Sequence, residues 1–459
     1  MILTISHIVK ATQGNLLQGN PTVRIKGVSI NSRTLKRGEL FIAIKGENFD
    51  GHSFIQPSLE KGALALVVSQ KPKKISSRVP VIYVKDTTIA LGRIAAMYRS
   101  FFKIPVISIT GSAGKTTTKE MVAAILQKKF KVLKNIKTEN NHIGVPLTLL
   151  KLDQSHEVAV IECGTNRQGD IDWLGQITKP DVIIFTNIGE SHLELLKTPD
   201  GVFKEKYQLT KHLHPEGYII FNADDAYLRR LFKLKSNRNL ITYALKEESD
   251  YHASQFSLKN NQAISFNLNG NQPCVLNSAS EGNLYNALAA ISCGRLFKIN
   301  YKDIQNALSH FRFPEGRQNI KRIGRLWIIN DTYNANPVSF KNALETLYAM
   351  NVKGKRILVC ADMLELGKKS LALHRSMGEM AAQLNLDLIL TLGPSARIIA
   401  ETARRFNQHL KTFSCDKKYQ LHKKLRRSCQ PEDAILIKGS RRMHMEETVD
   451  YLTKNLSKQ

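Results

Sequence analysis

The chain is short of cysteine, proline, acidic side chains and long apolar runs, and each shortage closes off a class of protein. Its six cysteines, Cys163, Cys274, Cys293, Cys360, Cys415 and Cys429, form no Cys-x-x-Cys pair and no spacing suited to zinc, so neither a disulfide framework nor a thiolate metal centre is expected. Only 14 prolines among 459 residues, with no low-complexity tract, argue against a disordered or fibrous chain. Nowhere do about 18 apolar residues run together, and the opening MILTISHIVKATQGN lacks a cationic start, an apolar stretch and a small-residue cleavage site. Neither a membrane span nor an export signal is expected, and reduced thiols suit a cytoplasmic protein. Acidic residues number 39 against 67 Lys and Arg, a formal net charge of +28 that favours anionic partners without choosing among them. The densest basic stretches, KPKK at 71–74 and KKLRR at 423–427, lie beside no stacking motif and no helix-turn-helix signature. They are expected to be solvated faces, with no specific nucleic-acid partner.

What is present suits a globular protein: 42% hydrophobic and 23% charged residues over a length that predicts two or three domains of roughly 100 to 200 residues. Up to residue 104 short strand-like runs (ELFIAI at 39–44, ALALVV at 63–68, PVIYV at 80–84) alternate with turns, and Thr87 or Thr88 can cap a helix through TTIALGRIAAMYRSFF. From 105 to about 314 apolar runs alternate with helical patterns: VISIT, TTKEMVAAILQKKF, EVAVIE, DVIIFTNI, GYIIFNADD. That rhythm predicts a mostly parallel sheet with crossover helices. It restarts after Pro314 with LWIIND, KRILVCAD, LDLILTLG and AILIKGS, which predicts a third, doubly wound domain over 315–459.

The most specific local signal is a strand, Ile107-Ser108-Ile109-Thr110, running into Gly111-Ser112-Ala113-Gly114-Lys115-Thr116-Thr117 and then at once into a helix. Glycines let backbone N–H groups turn onto phosphate oxygens, and the helix N-terminus adds partial positive charge. Lys115 can reach the β- and γ-phosphates, and the Thr116 hydroxyl can ligate Mg²⁺. The loop is G-x-x-G-K-T, with Ile109 where the commoner, longer pattern has its first glycine. Polar residues that directly follow apolar strands are the next candidates, because ligands of open α/β sheets bind outside the strands' carboxyl ends. Glu162 ends VAVIE and His192 follows VIIFTNIGES, and either could ligate a metal opposite the phosphate loop. A hydrogen-bonded structural role for His192, and a solvated helix face for Lys204 and Lys206 in GVFKEKYQL, are the plainer alternatives.

Taken together in their order, these segments resemble the Mur ligases. TGSAGKTTTKEM looks like that family's ATP loop, NNHIGVPLTLL at 140–150 like the segment after it, and ECGTNRQGDI at 162–171 like its acidic strand-end motif. NIGESHLE, FKEKYQL, NADD, NLYNALAA and GRQ follow in family order. The resemblance implies three domains: a UDP-precursor domain over 1–104, a P-loop ATPase domain over 105–314 and a Rossmann-like domain over 315–459. It implies ATP and two Mg²⁺ ions, with Thr116 serving the nucleotide's ion and Glu162, His192 and a carbamylated Lys206 as metal ligands. A carbamate would replace a repelled ammonium by anionic oxygen. It further implies that Asn286 contacts adenine, that Arg317 and Asp331 hold phosphate and ribose, and that Ser32 and Arg33 lie near a UDP-sugar ligand.

DTYNANPVSF at 331–340, ADMLELG at 361–367, His374 and KGSR at 438–441 are similar to the branch that adds D-alanyl-D-alanine to a UDP-N-acetylmuramoyl-tripeptide, and the Asp-Asn-Pro-Arg motif of the diaminopimelate-adding branch is missing. Three positions depart from the family pattern: Asn31 for Asp, Ala361 for Gly, and Gly282 for the His before Asn283. A monomer is expected. The rival readings are another ligase of this family, a folylpolyglutamate synthetase-like ligase, or a P-loop protein that does not ligate.

Overall fold

The computed structural model describes residues 3–46, 49–72, 75–233 and 239–456; Glu47 and Asn48 of the first-domain segment, and Lys73 and Lys74 of the KPKK run, lie outside them. Three large sheets form, one after another along the chain, with helices packed on them, and a small antiparallel pair, Leu3–Thr4 with Arg24–Ile25, accompanies the first. The first has five strands in the order Asn15–Gln18, Val81–Tyr83, Ala65–Val68, Glu39–Ile42, Gly27–Ser29, parallel except for its first pair. Its inner strands are apolar on both faces, as expected where helices cover a parallel sheet. The helix Thr87–Arg99 is present, but its cap is Asp86, whose carboxylate accepts from the N–H groups of Thr88 and Ile89. An ionised oxygen at that position outcompetes a threonine hydroxyl for the free first-turn donors.

That helix is shared between the first sheet and the next. Its Gly92 lies against the ring of Trp173, where an added Cβ would stand 2.6 Å from the indole, and the Tyr98 hydroxyl donates to the Leu152 carbonyl at 2.7 Å. One apolar core therefore runs from Leu3 through Ile94 to Leu174 and beyond.

The central sheet has nine strands, ordered Gln272–Leu276, Ala263–Leu268, Tyr251–Lys259, Asn239–Ala244, Tyr218–Asn222, Val182–Phe185, Val106–Thr110, Val158–Glu162, Val132–Lys134. The run from Tyr251 to Val132 is parallel, and the first two strands, Gln272–Leu276 and Ala263–Leu268, add an antiparallel extension that the sequence rhythm did not announce. Val106–Thr110, buried at every residue, sits where the strand order reverses, which leaves a crevice at its carboxyl end. The helix Lys115–Leu126 leaves that end and packs on Gly282–Leu296, whose Ala287, Ala289, Ala290 and Gly294 allow close approach; a Cβ on Gly294 would come within 2.6 Å of Ile125.

The third sheet, Asn319–Ile323, Leu326–Asp331, Ala434–Lys438, Arg356–Ala361, Leu388–Leu392, Lys411–Cys415, is parallel after its first pair. KKLRR lies on the helix Lys418–Ser428 with Lys423, Arg426 and Arg427 exposed, the solvated face expected of it. No helix of the described residues is long and apolar enough to cross a membrane.

Candidate functional site

The carboxyl ends of the central and third sheets face one another across a cavity of about 280 Å³, lined on one side by Ser112 to Thr116, Glu162 and His192, and on the other by Arg317, Asp331, Asn336 and Lys438. The phosphate loop owes its shape to two glycines. A Cβ on Gly111 (φ +152°) would lie 1.9 Å from the Thr186 hydroxyl, and one on Gly114 (φ +82°) 2.3 Å from the Asn286 amide oxygen. The amides of Ser112 and Ala113 donate to the Asn187 carbonyl and side-chain oxygen, each at 2.9 Å, and the Ser112 hydroxyl bonds Gly189 and Ser191. The first-turn amides of Lys115, Thr116 and Thr117 are the ones that helix geometry leaves without an intrahelical acceptor.

Lys115 curls back on its own loop, its ammonium 2.8 Å from the Gly111 carbonyl. Burial lowers its pKa from the ordinary lysine value, Glu162 opposes that shift and Arg317 adds to it. The Thr116 hydroxyl accepts from Arg317 at 3.0 Å, and the Arg317 guanidinium stands 4.0 Å from the centre of the Tyr333 ring, whose hydroxyl meets Thr138. Asn336 donates to the Ser112 carbonyl at 3.2 Å. Arg317 and Asn336 thus hold the third sheet against the phosphate loop.

Glu162 is 1% exposed; one carboxylate oxygen accepts from Asn140 at 2.7 Å and the other is buried with no partner. The Lys206 amine is likewise buried and without a partner. Burial first, then the nearby Lys115 cation, push its pKa well below the ordinary value. His192 is a left-handed residue (φ +52°) whose Nδ1 donates to Glu365 at 2.8 Å, and its pKa is lowered chiefly by burial. Among the described residues no three His, Cys, Asp or Glu side chains form a group able to hold a metal. Lys206 does not line the cavity. The chemistry of these two orphaned groups nevertheless suits a hard divalent cation: a carboxylate oxygen lacks a partner, and an uncharged amine can take up CO₂ to become a second oxygen donor.

The other expected residues divide. Asp331 accepts from the Gln318 amide at 3.2 Å and from Lys438 at 2.5 Å, the residue opposite it in the sheet register. Thr117 is buried in the first turn of the loop helix. Asn286 does not line the cavity; it sits beneath Gly114, accepting from Thr118 and donating to Asn283. Ser32 and Arg33 are in the first domain's loop after Gly27–Ser29, outside this cavity, with the Arg33 carbonyl taking a bond from Lys61. His374 is fully buried, its Nε2 accepting from the Met363 amide, which makes it structural. Gly282 lets the neighbouring third-domain helix approach, since a Cβ there would stand 2.6 Å from Asn342. Sequence reasoning passed over Asn140, Tyr333, Asn336 and Glu365 as individuals, although all four stand in segments singled out for their resemblance.

A P-loop domain whose phosphate cradle is closed by a second α/β domain is the layout of a nucleotide-dependent ligase. Three family domains match: the Mur ligase middle domain over residues 109–294, the Mur ligase glutamate ligase domain over 316–441, and the Mur ligase family catalytic domain over 24–99. A UDP-N-acetylmuramoyl-tripeptide--D-alanyl-D-alanine ligase of Bacillus subtilis is 34% identical over 99% of this chain and 98% of its own. The chain belongs to the Mur ligase family. Among solved structures, a MurF from Acinetobacter baumannii superposes with a TM-score of 0.90 at 31% identity, covering 99% of both chains. MurF ligase from Thermotoga maritima in complex with ADP gives 0.83 at 27% identity over 94% of this chain and 98% of that one. The three-domain α/β architecture and the ATP-dependent, amide-forming class expected from the sequence are those of these relatives.

Proposed function

We propose that this chain joins D-alanyl-D-alanine to UDP-N-acetylmuramoyl-tripeptide with hydrolysis of ATP to ADP and phosphate, as a cytoplasmic step in making peptidoglycan precursor. The observation that carries the proposal is full-length similarity to ligases of that name, together with the closure of Arg317 and Asn336 over the phosphate loop. The division of labour follows the three domains: residues 1–104 for the UDP precursor through Ser32 and Arg33, 105–314 for ATP, and 315–459 for the incoming dipeptide.

The precursor's terminal carboxylate oxygen attacks the γ-phosphorus, ADP departs, and an acyl phosphate forms. The dipeptide amine then adds to the acyl carbon, a tetrahedral intermediate collapses with loss of phosphate, and the amine's proton is released. No protein nucleophile is needed; catalysis lies in positioning and in neutralising charge on the transferring oxygens. Lys115 swings from Gly111 to the β- and γ-phosphates while the amides of Gly114 to Thr117 hold the remaining oxygens. Arg317 leaves the Thr116 hydroxyl for a phosphate, Asp331 turns to the ribose, and Asn286 supports the adenine side from beneath the loop. Two Mg²⁺ ions would be held by Thr116 and by Glu162, His192 and carbamylated Lys206, where they would supply charge neutralisation.

The test is ADP release by the full chain against a panel of UDP-linked muramyl peptides and amines. Release is expected only when the UDP-linked tripeptide and D-alanyl-D-alanine are both present. Efficient turnover with free meso-diaminopimelate or L-lysine would move the activity to a neighbouring branch of the family, and ATP turnover indifferent to all of them would make the chain a P-loop protein that does not ligate.

A further inference from the structure

Glu365 is not among the residues that the sequence nominates, yet it makes a bond that crosses from one domain to the other at the metal-side histidine. It belongs to the segment Leu364–Gly367, which lies directly on His192–Glu194. The Glu194 amide donates to the Glu365 carbonyl at 3.1 Å, and a Cβ on Gly367 would come within 3.1 Å of the Glu194 Cα. Both ends of the contact use backbone that side chains rarely adopt, φ +52° at His192 and φ +65° at Glu365. The segment is fastened from behind by Ser440, whose hydroxyl accepts from the Leu364 amide at 2.8 Å and whose own amide donates to the Asp362 carbonyl. Ser440 follows by two residues Lys438, which pairs with Asp331. Glu365 therefore moves with the strand ends that close over the nucleotide.

An ionised carboxylate can only accept, so the 2.8 Å contact puts the imidazole proton on Nδ1 and leaves the Nε2 lone pair available to a cation. We propose that Glu365 is a positioning residue by which the third domain fixes the tautomer and direction of His192, so that the metal site is complete only when that domain has closed. This rests on His192 being a metal ligand, as proposed above. Closure then does more than cover the substrates: metal affinity and domain position become two readings of one equilibrium, each biasing the other.

The experiment uses full-length protein with ¹⁵N-labelled histidine, His192 being assigned by its loss in His192→Gln, and Mn²⁺ as the probe metal. In the metal-free wild type the His192 ring is expected in the Nδ1–H form. Glu365→Ala should shift it toward Nε2–H and weaken Mn²⁺ binding about tenfold, with ADP affinity in the absence of metal unchanged. Glu365→Gln, whose side-chain oxygen still accepts, should retain the tautomer and most of the affinity, which a general loss of folding would not allow. A Glu365→Ala protein that keeps both the Nδ1–H form and wild-type Mn²⁺ affinity overturns the proposal. If His192→Ala also binds Mn²⁺ as well as the wild type, it is the ligand role of His192 that fails.

Discussion

Two lysines of the central domain are buried to the same depth and live in opposite surroundings. Lys119, one turn along the loop helix, is 0% exposed and donates to the carbonyls of Asn135 and Lys137, each at 2.8 Å, with Glu120 at 3.0 Å. Lys206, on the helix Pro199–Tyr207, is 1% exposed and its amine has no hydrogen-bond partner. A buried charge that is paired and hydrogen-bonded is tolerable, whereas an unpaired one is expelled as a proton. Lys119 is thus a clamp that fixes the segment leading to Asn140, and Lys206 is a buried amine to which the polypeptide gives no hydrogen-bond partner. Burial alone does not separate structure from chemistry here; the presence or absence of acceptors does.

The sharpest way to break this contrast is to remove each amine in turn. Lys206→Ala is expected to lower the rate of ligation at least 100-fold, about 2.7 kcal/mol in the barrier, with partial recovery on adding short carboxylic acids that donate oxygen to the cation. Lys115→Ala should be at least as severe while leaving thermal unfolding unchanged, because its loss falls on the transferring phosphoryl group. Near-normal turnover in either variant would remove that residue from the mechanism.

Lys119→Met is expected to act on stability. Two carbonyls lose their donor and Glu120 keeps only Lys134, and urea unfolding should show a loss of about 3 kcal/mol. Lys206→Met should do the reverse. The unfolded chain gains a proton below the ordinary lysine value of 10.5, whereas the depressed folded value delays protonation in the native state. Stability is therefore lost as pH falls from that value toward the folded one, and a lysine at this position costs stability near neutrality. In bicarbonate-free buffer Lys206→Met is expected to raise Tm by about 2 °C at pH 7.5, with the gain shrinking as pH rises toward 10. A variant less stable than wild type at every pH would contradict the orphaned-amine account. The smallest effect belongs to Lys204→Ala: its ammonium is exposed and pairs with Asp200 on the surface, so rate and stability should change less than twofold and by under about 0.5 kcal/mol.

How much of this could be read in advance depended on whether the determining contacts were local. Gly111 to Thr117 carry their geometry in consecutive residues, so strand, turn and helix were legible together. Glu162 and His192 were legible because a polar residue after an apolar strand lies at a sheet's carboxyl end. The burial of Lys206 was not, because FKEKYQL has the polarity of a solvated helix. It is turned inward by Glu205, whose carboxylate takes the amides of Gly169 and Ile171, each at 2.8 Å, a pairing across more than thirty residues. The hairpin strands from Tyr251 to Leu276 were missed because Tyr251–Lys259 is largely exposed and lacks an apolar run. The domain-crossing contacts of Arg317, Asn336 and Glu365 depend on how two sheets meet, which no periodicity within either one encodes.

The contrast between the two lysines is tested most directly by ¹³C NMR of the full-length protein in ¹³C-bicarbonate with Mg²⁺ and a non-hydrolysable ATP analogue. A single protein-bound carbamate resonance is expected, present in the wild type and in Lys204→Ala, and absent from Lys206→Ala. No such resonance in the wild type, or one that survives in Lys206→Ala, would contradict the assignment of Lys206 as the carbamate-bearing metal ligand.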